Sequence, residues 1–282
     1  MLTDAKLPGF EEKFREVKGV RMRYFVGGAG DATPIVLVHG FGGSASNWVE
    51  LAAALARSRR VLVPDLPGHG GSSALPATPS LAPYADRVAL VAEHEGFLPA
   101  AFAGHSLGAV VAVRIAERRP DDVTALVLAA AAGISSGTQR AKWILTVVAL
   151  MRPGRLIAPF ASTFARSPLL RRLSFDSWAT ADATALTPLA AEGFLASPRL
   201  HTDVLGAAEA LAAEDPRQDL ERVRCPSLVI WGADDPQVPL EDAFDYARRL
   251  RAPLRVIAGC GHLVIGERPD ACLDAIESFL AR

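Results

Sequence analysis

Gly104-His105-Ser106-Leu107-Gly108 is the most informative stretch of this 282-residue chain. It matches the pattern G-x-S-x-G, and it joins an apolar run at 100–103 to a segment with helical spacing of apolar residues at 107–118. A sharp turn from strand to helix strains the backbone of the central serine, and a Cβ at either glycine would collide with the neighbouring strand and helix. The stretch therefore predicts a strand, a tight turn and a helix, with the Ser106 hydroxyl exposed above the sheet edge as a candidate nucleophile.

The same alternation of strand and helix extends on both sides of this turn. Continuous apolar runs, typical of parallel strands covered on both faces, occur at 35–38, 61–63, 126–128, 228–230 and 254–257. Helical spacing of apolar residues occurs at 44–56, 80–95, 240–250 and 268–280. Alternating charges at 13–26, with Lys18-Gly19 between them, indicate a hairpin. The sequence predicts an α/β fold with a mostly parallel sheet and an antiparallel N-terminal hairpin.

Residues 133–215 break the alternation. They contain helical pieces without a convincing strand, and Pro153, Pro159, Pro168, Pro188 and Pro198 divide them. We interpret 133–215 as an inserted helical cap, and 1–132 with 216–282 as the core domain.

Composition narrows the classes of function. The chain is 50% hydrophobic, and 30 Lys and Arg against 31 Asp and Glu give a net charge of −1, so neither disorder nor nucleic-acid binding is expected. Three cysteines cannot form a disulfide scaffold, and no metal-ligand spacing or nucleotide-binding glycine motif is present, so we expect no metal and no cofactor. The N-terminus lacks a secretion signal and no stretch approaches the length of a transmembrane segment, which predicts a cytoplasmic protein.

A nucleophilic serine needs a histidine base and an acid that orients it, and where the serine lies on a strand–turn–helix elbow of this kind the chain order is Ser, acid, His. Only His201 and His262 follow Ser106, and His262 comes directly after the predicted strand at 254–257. Asp234 and Asp235 follow the strand at 228–230, whereas no acid follows 126–128. His262 is therefore the candidate base, and one of the two adjacent aspartates is the candidate acid.

The chain also resembles a known family, the α/β-hydrolase fold superfamily, over nearly its whole length. The resemblance rests on Val38-His39-Gly40-Phe41-Gly42-Gly43, Asp65-Leu66-Pro67-Gly68-His69-Gly70-Gly71-Ser72-Ser73, the serine turn, residues 232–239 and Gly261-His262. It implies that Asp235 is the acid and that the backbone N–H groups of Phe41 and Leu107 form the oxyanion hole. It further implies a cofactor-independent serine hydrolase, here of carboxylic esters with an apolar acyl or alcohol part.

Two alternatives remain open on the same fold. The first is a hydrolase of C–C bonds of the meta-cleavage type, although those enzymes tend to have Trp directly after the catalytic histidine, where this chain has Leu263. The second is a receptor that binds a ligand without turnover.

The cap residues suggest what the protein binds. With a small-molecule ester as substrate, the expected pocket residues are His105, Trp143, Val148, Phe160, Phe164, Trp178 and Leu263. Residues 134–175 carry seven basic residues and no acid, and 176–215 carry seven acids and one base. The basic half could dock an anionic carrier or a lipid surface, or the two halves could pair with each other.

Overall fold

A computed structural model describes residues 6–76, 80–135, 154–176, 178–201 and 203–281. One sheet contains eight strands in the order β1-β2-β4-β3-β5-β6-β7-β8. Its strands are β1 (Glu11–Val17), β2 (Val20–Gly27), β3 (Ala32–Val38), β4 (Arg59–Pro64), β5 (Ala100–His105), β6 (Val123–Ala129), β7 (Ser227–Gly232) and β8 (Leu254–Ile257). The pairings of β2 with β1 and β4 are antiparallel and the others are parallel, as the sequence predicts.

The continuous apolar runs have a direct structural reason. Along β3, Val36 and Val38 belong to the apolar core on one face of the sheet, while Ile35 and Leu37 belong to the core on the other face. All four side chains are fully buried. Because both faces are covered, successive residues must all be apolar.

The N-terminal hairpin turns at the predicted residues. Lys18 and Gly19 both have positive φ, 46° and 76°, as a two-residue turn between twisted antiparallel strands requires. This hairpin places β2 against β4 and thereby closes one side of the parallel sheet.

Eleven α-helices lie within the described ranges. They are α1 (Val49–Leu55), α2 (Ala82–His94), α3 (Leu107–Arg118), α4 (Gly154–Ile157), α5 (Ala161–Arg166), α6 (Pro168–Phe175), α7 (Pro188–Ala196), α8 (Leu205–Ala213), α9 (Leu240–Leu250), α10 (Val264–Glu267) and α11 (Pro269–Leu280). Short 3₁₀ turns are found at Ala45–Trp48, Pro120–Asp122, Ala158–Phe160, Ala183–Ala185, Ser197–Arg199, Pro216–Gln218 and Leu220–Arg222. The helices predicted at 107–118 and 240–250 have the predicted bounds.

Between β6 and β7 the described residues form short helices joined by loops. Pro168 and Pro188 begin α6 and α7, where a missing N–H costs nothing, and the hydroxyls of Ser167 and Thr187 cap the two helices. The prolines thus set where these helices begin. Division of the chain into core and cap stays a prediction. Among the described residues, no helix combines the length and apolar content needed to cross a membrane.

Candidate active site

Ser106 lies at the sharp turn between β5 and α3, with φ 53° and ψ −116°. An added Cβ at Gly104 would lie 2.3 Å from the backbone oxygen of Gly108, and one at Gly108 would lie 2.2 Å from that of Val38. Both glycines are therefore required, as the sequence pattern predicts. The Ser106 N–H donates to the carbonyl of Ala129 at 2.9 Å, which fastens the turn to the neighbouring strand β6.

His262 and Asp235 form a buried pair on the loops after β8 and β7. The ring Nδ1 of His262 donates to Asp235 Oδ2 at 2.8 Å, and the two side chains are 4% and 1% exposed. A carboxylate only accepts, so the proton resides on Nδ1 and Nε2 of the neutral ring keeps its lone pair. The other oxygen, Asp235 Oδ1, accepts from the N–H groups of Gln237 and Val238 at 2.8 and 2.9 Å.

The predicted contact between His262 and one of the two aspartates is therefore made by Asp235. Its neighbour Asp234 is exposed. This agrees with the aspartate that the family resemblance implies, while the catalytic roles of both groups stay predictions.

The turn that carries Ser106 lies beside this pair. The ring of His105, the preceding residue, lies 5.1 Å from the ring of His262, measured between centroids. Within the described part of the chain, the Ser106 hydroxyl has no hydrogen-bond partner, so its pairing with His262 stays a prediction. Catalytic hydrogen bonds often tighten only when substrate is bound.

The loop after β3 lies against the same turn. A Cβ at Gly40 would lie 3.0 Å from His105 Nδ1 and 3.1 Å from Ser106 Cβ, so a larger residue would push the loop away. Phe41 is the next residue, and Leu107 is the first residue of α3, where backbone N–H groups have no partner within the helix. This arrangement suits the predicted oxyanion hole, which remains to be tested.

Three buried histidines lie against this loop, and two of them bond to its backbone. His39 donates from Nδ1 to the Gly40 carbonyl at 2.8 Å and accepts at Nε2 from the Leu66 N–H at 2.9 Å. His201 bonds to the Gly42 carbonyl at 2.8 Å, and the ring of His69 lies between those of His39 and His201 at 5.4 and 5.3 Å. Burial lowers the pKa of His39 well below its ordinary value and that of His69 to about 4, so both rings are neutral.

His105, predicted to line the pocket, is 3% exposed and connects the serine turn to the base. Its Nε2 donates to the backbone carbonyl of His262 at 2.9 Å. Burial lowers the pKa of His105 to about 3, so the ring stays neutral and holds its proton for this bond. The structure thus places His105 where it positions His262.

Glu267 is a functional candidate that sequence reasoning missed. Its carboxylate is 2% exposed and accepts from the backbone N–H groups of Gly261 at 2.9 Å and Ala181 at 3.0 Å. The N–H of His262 itself donates to the Ala179 carbonyl at 2.8 Å. The loop that carries His262 is therefore held against the segment around residue 180. No local sequence pattern predicts these contacts.

The other six predicted pocket residues separate into three groups. Phe164 and Leu263 pack in one apolar cluster with Phe175. Phe160 and Trp178 are 61% and 54% exposed. Trp143 and Val148 lie outside the described residues. A pocket lined by these side chains stays a prediction.

No three His, Cys, Asp or Glu side chains in the described ranges come together as ligands of a metal ion would.

Comparison with known proteins gives consistent matches. A sequence model described as "Alpha/beta hydrolase family" matches residues 35–275. The dihydrolipoyllysine-residue acetyltransferase component of the acetoin cleaving system of Pseudomonas putida is 31% identical over 273 residues, which are 95% of this chain and 68% of that protein. The pimeloyl-[acyl-carrier protein] methyl ester esterase of Aromatoleum aromaticum is 32% identical over 256 residues, covering 87% of this chain and 97% of that protein. The crystal structure of the enol-lactonase from Burkholderia xenovorans LB400 superposes with a TM-score of 0.73 at 26% identity, covering 96% of this chain and 100% of that one.

Proposed function

This chain belongs to the alpha/beta hydrolase family, and on that basis we propose that it hydrolyses carboxylic esters with an apolar acyl or alcohol part. The observation that carries the proposal is the buried hydrogen bond from His262 Nδ1 to Asp235 Oδ2, beside the strained turn of Ser106. That bond leaves Nε2 of His262 as the proton acceptor of the pair.

In the first step Ser106 Oγ attacks the ester carbonyl carbon while His262 Nε2 takes its proton. The carbonyl electron pair moves to oxygen, and the N–H groups of Phe41 and Leu107 stabilise that oxyanion, each worth roughly 3 kcal/mol. As the oxyanion collapses, the C–O bond to the alcohol breaks and His262 gives its proton to the departing oxygen. Asp235 stabilises the charged imidazole between the two proton transfers.

In the second step a water molecule attacks the acyl-enzyme, and His262 again takes and returns one proton. The carboxylic acid leaves and the Ser106 hydroxyl is restored. His262 returns every proton that it takes up, so the net reaction converts ester and water to carboxylic acid and alcohol.

Two further observations support an ester with an apolar part. Leu263, adjacent to the base, is buried in the apolar cluster that contains Phe164 and Phe175. The names of two similar proteins, a methyl ester esterase and an enol-lactonase, both denote cleavage of an ester bond. The chain spans about two thirds of the length of the acetyltransferase component.

The test is hydrolysis of a panel of p-nitrophenyl esters of increasing acyl length by the unmodified protein and by Ser106→Ala. We expect turnover by the unmodified protein and a loss of about 10³-fold or more in Ser106→Ala. Ser58→Ala is the control, since Ser58 is an exposed serine just beyond α1, and it should retain full activity.

Three results would contradict the proposal. Undiminished turnover by Ser106→Ala would show that Ser106 is not the nucleophile. Tight ester binding without product release indicates a receptor. Faster cleavage of a vinylogous 1,5-diketone than of any ester indicates a C–C hydrolase.

A further inference from the structure

Five large apolar side chains between residues 156 and 178 of the predicted cap are exposed, on two short helices and two turns. We call them the cap face, and they are Leu156 (80% exposed), Phe160 (61%), Leu169 (67%), Leu173 (72%) and Trp178 (54%). In the rest of the described chain, the large exposed hydrophobic residues are Phe14, Leu189, Phe244 and Val256, which are 38–55% exposed and come from separate elements. A cluster of large exposed apolar side chains is typical of a surface that binds a partner or a membrane.

Packing joins most of the cap face into one surface. Helices α5 and α6 pack on each other, and Trp178 stacks on Phe175 of α6 with ring centroids 6.4 Å apart. Leu169 and Leu173 are four residues apart on α6, so they project from the same side of that helix.

Basic residues are interleaved with these apolar side chains. Arg155, Arg166 and Arg172 are exposed, and none of them forms an ion pair with a described residue. The fourth described basic residue of this half, Arg171, is buried and bonds to the carbonyl of Ala165. No ion pair joins these four residues to described carboxylates of the acidic half, although the charge of Arg172 acts on Asp182, so the predicted pairing of the two cap halves stays a prediction. Arg140, Lys142 and Arg152 lie outside the described ranges.

Nearby carboxylates are engaged by other groups. Asp176 accepts from the Thr180 hydroxyl and the Ala183 N–H, and Glu214 pairs with Arg114 of the core. Hydrogen bonds from Thr184 hold the pKa of Asp182 below its ordinary value, with a smaller contribution from the charge of Arg172. These hydrogen bonds do not cancel the carboxylate charges, but the described residues 154–176 carry four arginines against one aspartate, so this segment has an excess of positive charge.

A cleft opens within this surface. Its volume is about 470 Å³, and it is lined by Pro159, Phe160, Ser162, Thr163, Arg166 and Ser167. The guanidinium and the three hydroxyls that line this cleft offer hydrogen-bond donors to a phosphate, and the phenyl ring of Phe160 offers contact to a hydrocarbon chain.

We propose that the cap face docks on a bilayer that contains anionic phospholipid, with the apolar side chains in the hydrocarbon boundary and the three arginines at the phosphates. Charge alone would equally suit an acidic protein. Exposed leucines and a phenyl ring gain free energy only where they leave water, and the hydrocarbon boundary of a bilayer provides that environment. Tryptophan and arginine are also characteristic of the bilayer interface. This inference does not require that the protein cleaves esters.

The experiment uses the full chain with Ser106→Ala, so that no lipid is consumed, and measures co-sedimentation with vesicles. Vesicles of phosphatidylglycerol and phosphatidylcholine in equal parts are compared with phosphatidylcholine alone, at low and high salt. We expect binding to the anionic vesicles, weakened by salt.

Two sets of substitutions locate the surface. Arg155→Gln, Arg166→Gln and Arg172→Gln together should lower partitioning about 100-fold, since each basic residue near an anionic surface contributes roughly 5-fold. The matched control removes three exposed arginines outside the cap segment that form no described ion pair, Arg57→Gln, Arg224→Gln and Arg255→Gln, and should change partitioning by less than about 3-fold.

Leu173→Ser tests the apolar contribution. It should lower partitioning about 10-fold, because transfer of a leucine side chain from water to hydrocarbon strengthens binding by about that factor. Phe244→Ser, a 55% exposed aromatic on α9, is its control and should have no effect. Thermal unfolding of each variant shows whether it remains folded.

Four results overturn the proposal. The first is equal binding to both kinds of vesicle, and the second is an equal loss of partitioning in the two arginine triples. The third is partitioning that falls in the arginine variants but not in Leu173→Ser. The fourth is a dimer in solution that Leu173→Ser converts to a monomer. The third would favour an acidic protein partner and the fourth a second copy of this chain.

Discussion

Asp235→Asn should inactivate the protein through the proton position on His262. In the structure Asp235 Oδ1 accepts from two backbone N–H groups, those of Gln237 and Val238. An asparagine keeps those two bonds only if its amide oxygen occupies the Oδ1 position. Its NH₂ group then points at His262 Nδ1, where Oδ2 accepts at 2.8 Å. A donor at that position requires His262 to accept at Nδ1 and to carry its proton on Nε2.

The wrong tautomer of His262 cannot take the Ser106 proton. The expected loss in kcat is about 10⁴-fold, the size seen when a triad aspartate becomes asparagine. Because the amide oxygen keeps both backbone bonds, the melting temperature should fall by no more than about 4 °C, equivalent to roughly 1 kcal/mol or less.

The assay is steady-state hydrolysis of the best p-nitrophenyl ester, with thermal unfolding measured on the same samples. Asp234→Asn provides a matched control one residue away on the exposed side of the loop, and it should keep activity within about 2-fold. Retention of more than a tenth of the activity by Asp235→Asn would refute the tautomer argument. An equal loss in Asp234→Asn would refute the assignment of the acid.

Gly108→Ala should destabilise the fold by roughly 3 kcal/mol or more in denaturant unfolding, because its Cβ would lie 2.2 Å from a backbone oxygen of β3; unchanged stability would contradict this. Glu267→Gln should lower stability by about 2 kcal/mol and reduce kcat, because the NH₂ group of the glutamine would face a backbone N–H that also donates. An unchanged melting temperature would contradict the proposed role of Glu267 in holding the His262 loop. Burial lowers the pKa of His39, His69 and His105 below the unfolded value of about 6.5, so unfolding free energy should fall on acidification below that value by up to about 1.4 kcal/mol per pH unit for each. In unfolding curves at several pH values, His69→Gln should reduce this slope and exposed His94→Gln should not; equal slopes would refute the assignment.

The sheet could be predicted because its strands are buried on both faces, which leaves a continuous apolar run such as 35–38 in the sequence. The serine turn and His262 could be predicted because chain order and strand ends restrict the candidates. The choice between Asp234 and Asp235 required the family resemblance, since two adjacent carboxylates in a loop look alike until the amides of Gln237 and Val238 fix one of them.

Contacts between a side chain and a distant backbone group could not be predicted. The partners of Glu267 include the N–H of Ala181, 86 residues away in the sequence, and an isolated glutamate in a helical segment gives no indication of them. The exposure of Phe160 and Trp178 could not be predicted, because helices of four to nine residues carry too few turns for a periodic pattern to show which face is buried.

Labelling with a fluorophosphonate, followed by mass spectrometry of the intact protein and its peptides, tests the central claim most directly. The account predicts one adduct per chain on Ser106, none in Ser106→Ala, and strongly slowed labelling in Asp235→Asn. Labelling of a different residue, or an undiminished adduct in Ser106→Ala, would contradict it.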